Sequence, residues 1–306
     1  MRIANPQRQR GFTLVELVMV IVLMGVIGGM VAVFMKSPID AYFDSARRAG
    51  LTDVADTTVR RMARDIRKAL PNSIRLPTGN TCMEFIPTRT GGRYRAEGAD
   101  ALDFAGTTTT ATFNMLGSNT SFAGAALPAD QQIASRDLIV VYNLGIPGSD
   151  AYELSNTAVS AAPGTPTGSP SETPISITYS TGLTHFPLAS ASNRFHVVPA
   201  HEQVVSYVHV AGAASAAGDA MGTLYRYARP ALSAAYPLPA SCAALEAVML
   251  ADTAHPPAVL ANSVNTCSFA YDAASQRNAI VQMTLGLTRS NETVSLYHEI
   301  HVDNTP

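Results

Sequence analysis

The sequence predicts an α+β fold in which one long N-terminal helix, apolar in its first half and amphipathic in its second, packs on a large antiparallel β-rich domain. Three observations carry this. Leu17 to Met35 holds no charged side chain, apolar residues recur every three or four positions from Ile39 to Leu70, and beyond Asn72 short β-prone segments alternate with Gly, Pro, Ser, Thr and Asn. The chain therefore divides into a leader at 1–11, an apolar helix at 12–36, its amphipathic continuation at 37–70 and a β-rich domain at 71–306.

As a helix, Phe12 to Met35 spans ~36 Å at 1.5 Å per residue, enough to cross a hydrocarbon core of roughly 30 Å. The apolar core of a secretory signal peptide is only ~7–15 residues long, so this run reads as a single-pass anchor. Arg2, Arg8 and Arg10 precede it, which places the N-terminus in the cytoplasm and the remainder across the membrane. The run contains one acid, Glu16, close to its start. An acid at mid-membrane costs about 2.5–3.5 kcal/mol and less near an end. Either Glu16 stays solvated among headgroups, or it meets a positive charge inside a protein assembly, where low dielectric strengthens the pair. Gly25 and Gly29 form a G-x-x-x-G face that permits close helix approach, although glycines are also simply common in membrane helices.

In the second half of the helix, Ile39, Phe43, Ala46, Leu51, Val54, Ala55, Met62, Ile66 and Leu70 define an apolar face. Asp44, Arg47, Arg48, Asp53, Asp56, Arg60, Arg61, Arg64, Asp65, Arg67 and Lys68 define the opposite one. The spacing predicts i,i+4 pairs at Asp44/Arg48, Asp56/Arg60 and Arg61/Asp65, each contributing a few tenths of a kcal/mol. Pro38 lacks an N–H and predicts a kink, and Pro71 predicts the helix end.

Strands are predicted at Cys82–Ile86, Leu102–Ala105, Leu138–Leu144, Ile175–Tyr179, Arg194–Val198, Gln203–Val210, Thr223–Ala228, Thr266–Tyr271, Ile280–Thr288 and Thr293–Val302. The last two read as a hairpin about Asn291-Glu292 laid against the amphipathic helix. Val281, Met283, Leu285 and Leu287 share one face of its first strand, and Val294, Leu296, Ile300 and Val302 one face of its second. Ser155–Pro174 contains four prolines and no aliphatic period, and is expected to be an exposed loop. Ala211–Gly218 is expected to be another.

Net charge is −2, and removal of a leader with three arginines and no acid takes it to −5. That weakly acidic product offers no electrostatic attraction for nucleic acid. The three cysteines are Cys82, Cys242 and Cys267. In an exported, oxidising setting, Cys242–Cys267 is the favoured pairing, because the two lie close in sequence about a Pro- and Ala-containing connection. Two other pairings stay open, and Cys82 is then expected to be buried beside Met83, Phe85 and Ile86. The chain carries no G-x-S-x-G, P-loop or C-x-x-C motif, so no enzyme activity is expected. His298, Glu299, His301 and Asp303 are suitable metal ligands in type, but they do not form H-E-x-x-H and also fit a half-exposed strand. His201-Glu202 and His209 carry no stronger pattern, and no EF-hand loop is present. Neither a metal nor another cofactor is expected.

The hexapeptide Gly11-Phe12-Thr13-Leu14-Val15-Glu16, with basic residues before it and an apolar helix after it, resembles the class III signal of type IV pilins and type II secretion pseudopilins. The resemblance implies cleavage between Gly11 and Phe12 by a membrane-embedded prepilin peptidase, methylation of the Phe12 amine, and pairing of Glu16 with the amine of a neighbouring subunit. It also implies pilin-like partners, an inner-membrane pilus assembly platform, and an outer domain in the periplasm before incorporation into a pilus or pseudopilus. Many members have a proline inside the apolar half, where this sequence has glycines at 25, 28 and 29.

Short phrases extend the likeness: Gly91-Gly92-Arg93-Tyr94-Arg95, Arg194-Phe195-His196-Val197-Val198, Gly222-Thr223-Leu224-Tyr225-Arg226-Tyr227 and the terminal His301-Val302-Asp303-Asn304-Thr305-Pro306. They are similar to the O-type minor pilin of the mannose-sensitive haemagglutinin pilus. That group is in turn similar to the J-type pseudopilins. The function implied is a minor pilin that primes or caps a filament. The alternatives are a J-type pseudopilin and a single-pass anchored periplasmic enzyme or binding protein.

Overall fold

The computed structural model describes residues 11–232, 239–272 and 278–306, so the leader, apart from Gly11, lies outside the described residues. The chain divides into two units, residues 1–50 and 51–306. Helix α1 (Leu14–Ile66) begins in the first and ends in the second. The helix continues through Pro38, so the proline removes one donor without interrupting it. It ends at Ile66, ahead of the expected Leu70, because Leu70 N–H already bonds to the carbonyl of Ile86 at 2.7 Å. The first unit holds the exposed, apolar part of α1, and near its end Asp44 pairs with Arg47 at 3.4 Å.

In the second unit, strands β1 (Cys82–Phe85), β2 (Thr90–Arg93), β3 (Thr110–Leu116), β4 (Ser121–Phe122), β5 (Ala125–Ala126), β6 (Leu138–Val141) and β7 (Thr157–Ser160) come first. They are followed by β8 (Glu172–Tyr179), β9 (Arg194–Val198), β10 (Val204–Val210) and β11 (Gly222–Arg229). Helix α2 (Cys242–Ala251) precedes β12 (Ala258–Asp272), β13 (Asn278–Arg289) and β14 (Glu292–Asp303). Among the described residues, two six-stranded antiparallel sheets form, in the orders β1-β10-β11-β12-β13-β14 and β2-β9-β6-β7-β8-β3. β4 and β5 make a small separate hairpin.

The C-terminal part of α1 lies on one face of the first sheet. Leu51, Ala55, Val59, Met62, Ala63 and Ile66 join Phe85, Tyr207, Leu224, Val281, Met283 and Leu285 in one apolar core. The expected face is corrected at Val54, which is exposed, and at Thr58, which is buried with its hydroxyl donating to the Val54 carbonyl at 2.7 Å; Ile39, Phe43 and Ala46 of that predicted face are exposed as well. α2 covers β1, β10 and β11 from the other side, with Leu245 and Met249 packed on Val208 and Tyr227. Covered on both faces, β10 is buried from Val204 to His209, which is why it reads as a near-continuous apolar run. The expected β13–β14 hairpin forms, but its two-residue turn is Ser290-Asn291 and not Asn291-Glu292: both φ values there are positive, as a type I′ turn requires, and Glu292 already pairs with Arg289 in the strand register. The second sheet has its own core, in which Phe113, Ile139, Ile175 and Phe195 are capped by Phe186 and Leu102. Leu102 reaches that core from a loop and not from the expected strand.

Two further expectations are corrected. The disulfide joins Cys82 to Cys242, and Cys267 is a buried free thiol. Cys267 points from β12 into the core under α1, whereas Cys242 opens α2 on the opposite face of the sheet. Burial pushes the Cys267 thiol up to about 12, which leaves it protonated and inert. Residues 155–174, expected to be a loop, contain β7 and the start of β8. Their polar side chains make strand structure possible by pairing: Thr157 and Ser180 hydroxyls lie 2.6 Å apart, and Asn156 Nδ2 donates to Asn143 Oδ1 at 3.2 Å. Ala211–Gly218 has no strand or helix, as expected.

Candidate functional site

The candidate site is the start of α1. Gly11, Phe12 and Thr13 precede the helix and are exposed, Phe12 at 85%. Thr13 and Glu16 fold back on each other. Thr13 N–H and Thr13 Oγ1 each donate to Glu16 Oε2 at 3.2 Å, and Glu16 N–H donates to Thr13 Oγ1 at 3.3 Å. This reciprocal arrangement is a capping box: two backbone donors that a helix start leaves unsatisfied are taken up by side chains three residues apart. It sets the first helical residue at Leu14 and leaves the Gly11–Phe12 peptide bond outside the helix. This local role for Glu16 stands beside the solvated and intermolecular ones that its place in the apolar run suggests. The signal for the local one was T-x-x-E immediately before an apolar run.

Behind the box, the residues from Leu14 to Met35 are exposed. The helix is long and apolar enough to cross a membrane, and none of its most apolar stretch is buried. Gly25 and Gly29 stand on open surface, with no atom within 4 Å of an added Cβ. Phe12, Leu14, Phe34 and the intervening apolar residues thus have no partner within the described chain, while Glu16 is the one acid among them.

In the second unit, charged groups tie the helix to its sheet. Asp65, assigned to the solvent face by periodicity and to Arg61 by spacing, instead accepts from Tyr207 Oη at 2.9 Å and Arg226 Nε at 2.8 Å. Arg226 also pairs with Glu202. Burial alone would lower the Arg226 pKa, but Glu202 and Asp65 outweigh it and hold the guanidinium charged. Burial and then Asp65 push the Tyr207 phenol up, so it remains a donor. On the opposite face, buried Glu84 accepts from Arg229 at 2.6 Å and Arg75 at 3.3 Å.

The terminal histidines do not converge. Glu299 accepts from Tyr297 Oη at 2.5 Å and Asp303 from Thr305 N–H at 2.8 Å, while His298 faces away from both. Among the described residues no group of three or more His, Cys, Asp or Glu is placed to hold a metal ion. The disulfide assignment of Cys242 to Cys267 fails here as described above, and Cys82 takes its place.

Residues 6–32 match the model of the prokaryotic N-terminal methylation motif, which spans the Gly11–Phe12 bond, the capping box and most of the apolar run. No characterised protein and no solved structure matches the chain significantly. The chain thus carries a prokaryotic N-terminal methylation motif at the head of a long apolar helix that continues into an antiparallel β-rich domain.

Proposed function

We propose that the chain is a minor pilin, a structural subunit of a type IV pilus filament with a priming or tip-proximal place and no catalytic role. The observation that carries this is the methylation motif, whose single acid stands just behind the Gly11–Phe12 bond at the head of an exposed apolar helix. In this reading the precursor sits in the inner membrane with its β-rich domain in the periplasm. A prepilin peptidase cuts after Gly11 and methylates Phe12, and the apolar helix then packs against those of other pilin-like subunits on the assembly platform. Glu16 there answers the amine of a neighbouring chain. The domain of residues 51–306 is bulky for a subunit repeated along a shaft, which favours the end of the filament.

Mass spectrometry of the membrane-extracted protein tests the reading directly. Methylated Phe12 at the N-terminus is expected, whereas intact Met1 or cleavage near Ala32 overturns it in favour of a solitary anchored protein. A J-type pseudopilin of type II secretion uses the same processing, so co-isolation with pilus subunits or with secretion pseudopilins separates those two.

A further inference from the structure

The β2–β9 edge of the second sheet carries two arginines with no acid at ion-pair distance among the described residues. In this antiparallel pair Gly91 stands opposite His196 and Arg93 opposite Arg194. Side chains alternate along a strand, so Arg93, Arg194 and His196 share one face, to which Gly91 adds nothing. Like charges placed directly across a strand pair repel and weaken it. Arg89 pairs with Asp137, Arg95 with Glu172, Arg226 with Asp65 and Glu202, and Arg75 and Arg229 with Glu84, whereas Arg61, Arg64, Arg67 and Arg136 lack an acid within 4.0 Å among the described residues as Arg93 and Arg194 do, but do not stand opposite one another across a strand pair. Among the described residues, no carboxylate lies within 4.0 Å of the Arg93 or Arg194 guanidinium.

Both arginines are exposed at the rim of a cavity of about 270 Å³ lined by Gly91, Gly92, Arg93, Arg194, Phe195 and His196. A Cβ on Gly91 would come within 2.8 Å of the Phe195 carbonyl oxygen, so glycine is what allows β2 to lie this close to β9. His196 Nε2 is buried without a hydrogen-bond partner. Burial, and then the charge of Arg194, hold this imidazole down to about 4, with Asp303 acting weakly in the other direction. The ring is therefore neutral, and the positive charge of the site is that of the two guanidiniums, with Asp303 close enough to act on His196.

We propose that Arg93 and Arg194 form an oxyanion site that takes a phosphate group, either free or on a lipid headgroup, through the paired N–H donors of each guanidinium. Two cations match inorganic phosphate or a monoester of charge near −2, and a diester headgroup of charge near −1 still offers two non-bridging oxygens, one to each guanidinium. The cavity is smaller than the ~300–1,000 Å³ typical of sites for drug-sized ligands, which suits a compact anionic group.

The test uses the full chain in a neutral detergent and equilibrium dialysis against radiolabelled inorganic phosphate at low ionic strength. Saturable binding is expected, weakened about tenfold or more in Arg93→Gln and in Arg194→Gln and unchanged in Arg61→Gln on α1. Without phosphate, both cavity variants are expected to unfold at a higher denaturant midpoint than the parent, because the opposed charges are gone. Loss of binding is then distinct from loss of fold. Glycerophosphoglycerol, a diester headgroup, distinguishes the sources: full displacement of phosphate assigns the site to phospholipid, and failure to displace assigns it to free phosphate or a monoester, both upholding an oxyanion site. Binding that does not saturate, or that the two variants leave unchanged, overturns the proposal. Saturable binding of poly-glutamate that phosphate fails to compete away also overturns it, in favour of a protein partner's carboxylates.

Discussion

Glu16 has two physical uses in this chain, and substitutions at positions 13 and 16 separate them. Glu16→Gln keeps an acceptor for Thr13 N–H, so the capping box survives without its charge. Thr13→Val keeps the charge and the side-chain shape but removes the hydroxyl that accepts Glu16 N–H at 3.3 Å. Loss of a cap costs about 1 kcal/mol, roughly a fivefold change in how often the first turn opens. An acid and an amine about 4 Å apart at an effective dielectric of about 20 attract by about 4 kcal/mol, nearly a thousandfold in an equilibrium. If pairing with a neighbour's amine drives incorporation, Glu16→Gln should almost abolish recovery of the chain in sheared filaments, and Thr13→Val should reduce it a few-fold at most. The assay is the ratio of filament to membrane immunoblot signal, with the Phe12 terminus verified for each variant. Parental incorporation of Glu16→Gln, or equal damage from Thr13→Val, would refute the charge-pairing argument and leave helix capping as the reason for a glutamate here.

Three further outcomes concern the β-rich domain. The Cys82–Cys242 bridge closes a separation of 160 residues, so chain entropy gives it up to about 5 kcal/mol. Cys242→Ser should lower the denaturation midpoint sharply, Cys267→Ala much less, and a Cys267-containing disulfide peptide in a non-reducing digest would contradict the pairing. Asp65→Asn removes the partly exposed partner of Arg226, which keeps Glu202. A loss of about 1–3 kcal/mol is expected in urea unfolding, and an unchanged midpoint would show that the contact does not hold the helix. His196 is held to about 4 in the fold against an ordinary 6.5, so the unfolded chain binds the proton more readily. The contribution of His196 is complete above about pH 6.5 and is lost as pH falls toward about 4, amounting to up to ~3 kcal/mol. His196→Asn should flatten the slope of stability between pH 5 and 6.5, and a parental slope in that variant would exclude His196 as its source.

What periodicity could reveal was set by how many faces of an element are covered. Val281, Met283, Leu285 and Leu287 alternate with polar residues because only one face of β13 meets α1, and the hairpin was legible for that reason. β3 escapes the pattern because Phe113 and Met115 are only two apolar positions interleaved with Thr112 and Asn114, and their burial beside β8 is what marks them as core. α2 was read as a connection, although Ser241 is an N-cap whose hydroxyl accepts Ala244 N–H at 3.2 Å. Once α2 is recognised, Cys242 belongs to the face of the sheet that Cys82 occupies, and proximity in sequence to Cys267 ceases to matter. Asp65 could not be placed by spacing, since its partners lie 142 and 161 residues away.

The division of labour along α1 explains why this chain needs other molecules. From Leu51 onward the apolar face of the helix is consumed by the core it shares with the first sheet, and Asp65 anchors its end. Before Met35 the same helix has apolar residues on every side and nothing in the described chain to cover them. Lipid can satisfy that surface, but transfer from lipid to a bundle of like helices gains nothing from the hydrophobic effect, because acyl chains are as apolar as leucine. What a bundle can add is close packing at Gly25 and Gly29, where the surface is open, and a counter-charge for Glu16, which among the described residues meets only the neutral groups of Thr13. Under the proposed assembly, a helix so built rests in a bilayer and gains from leaving it only when a chain of matching chemistry arrives.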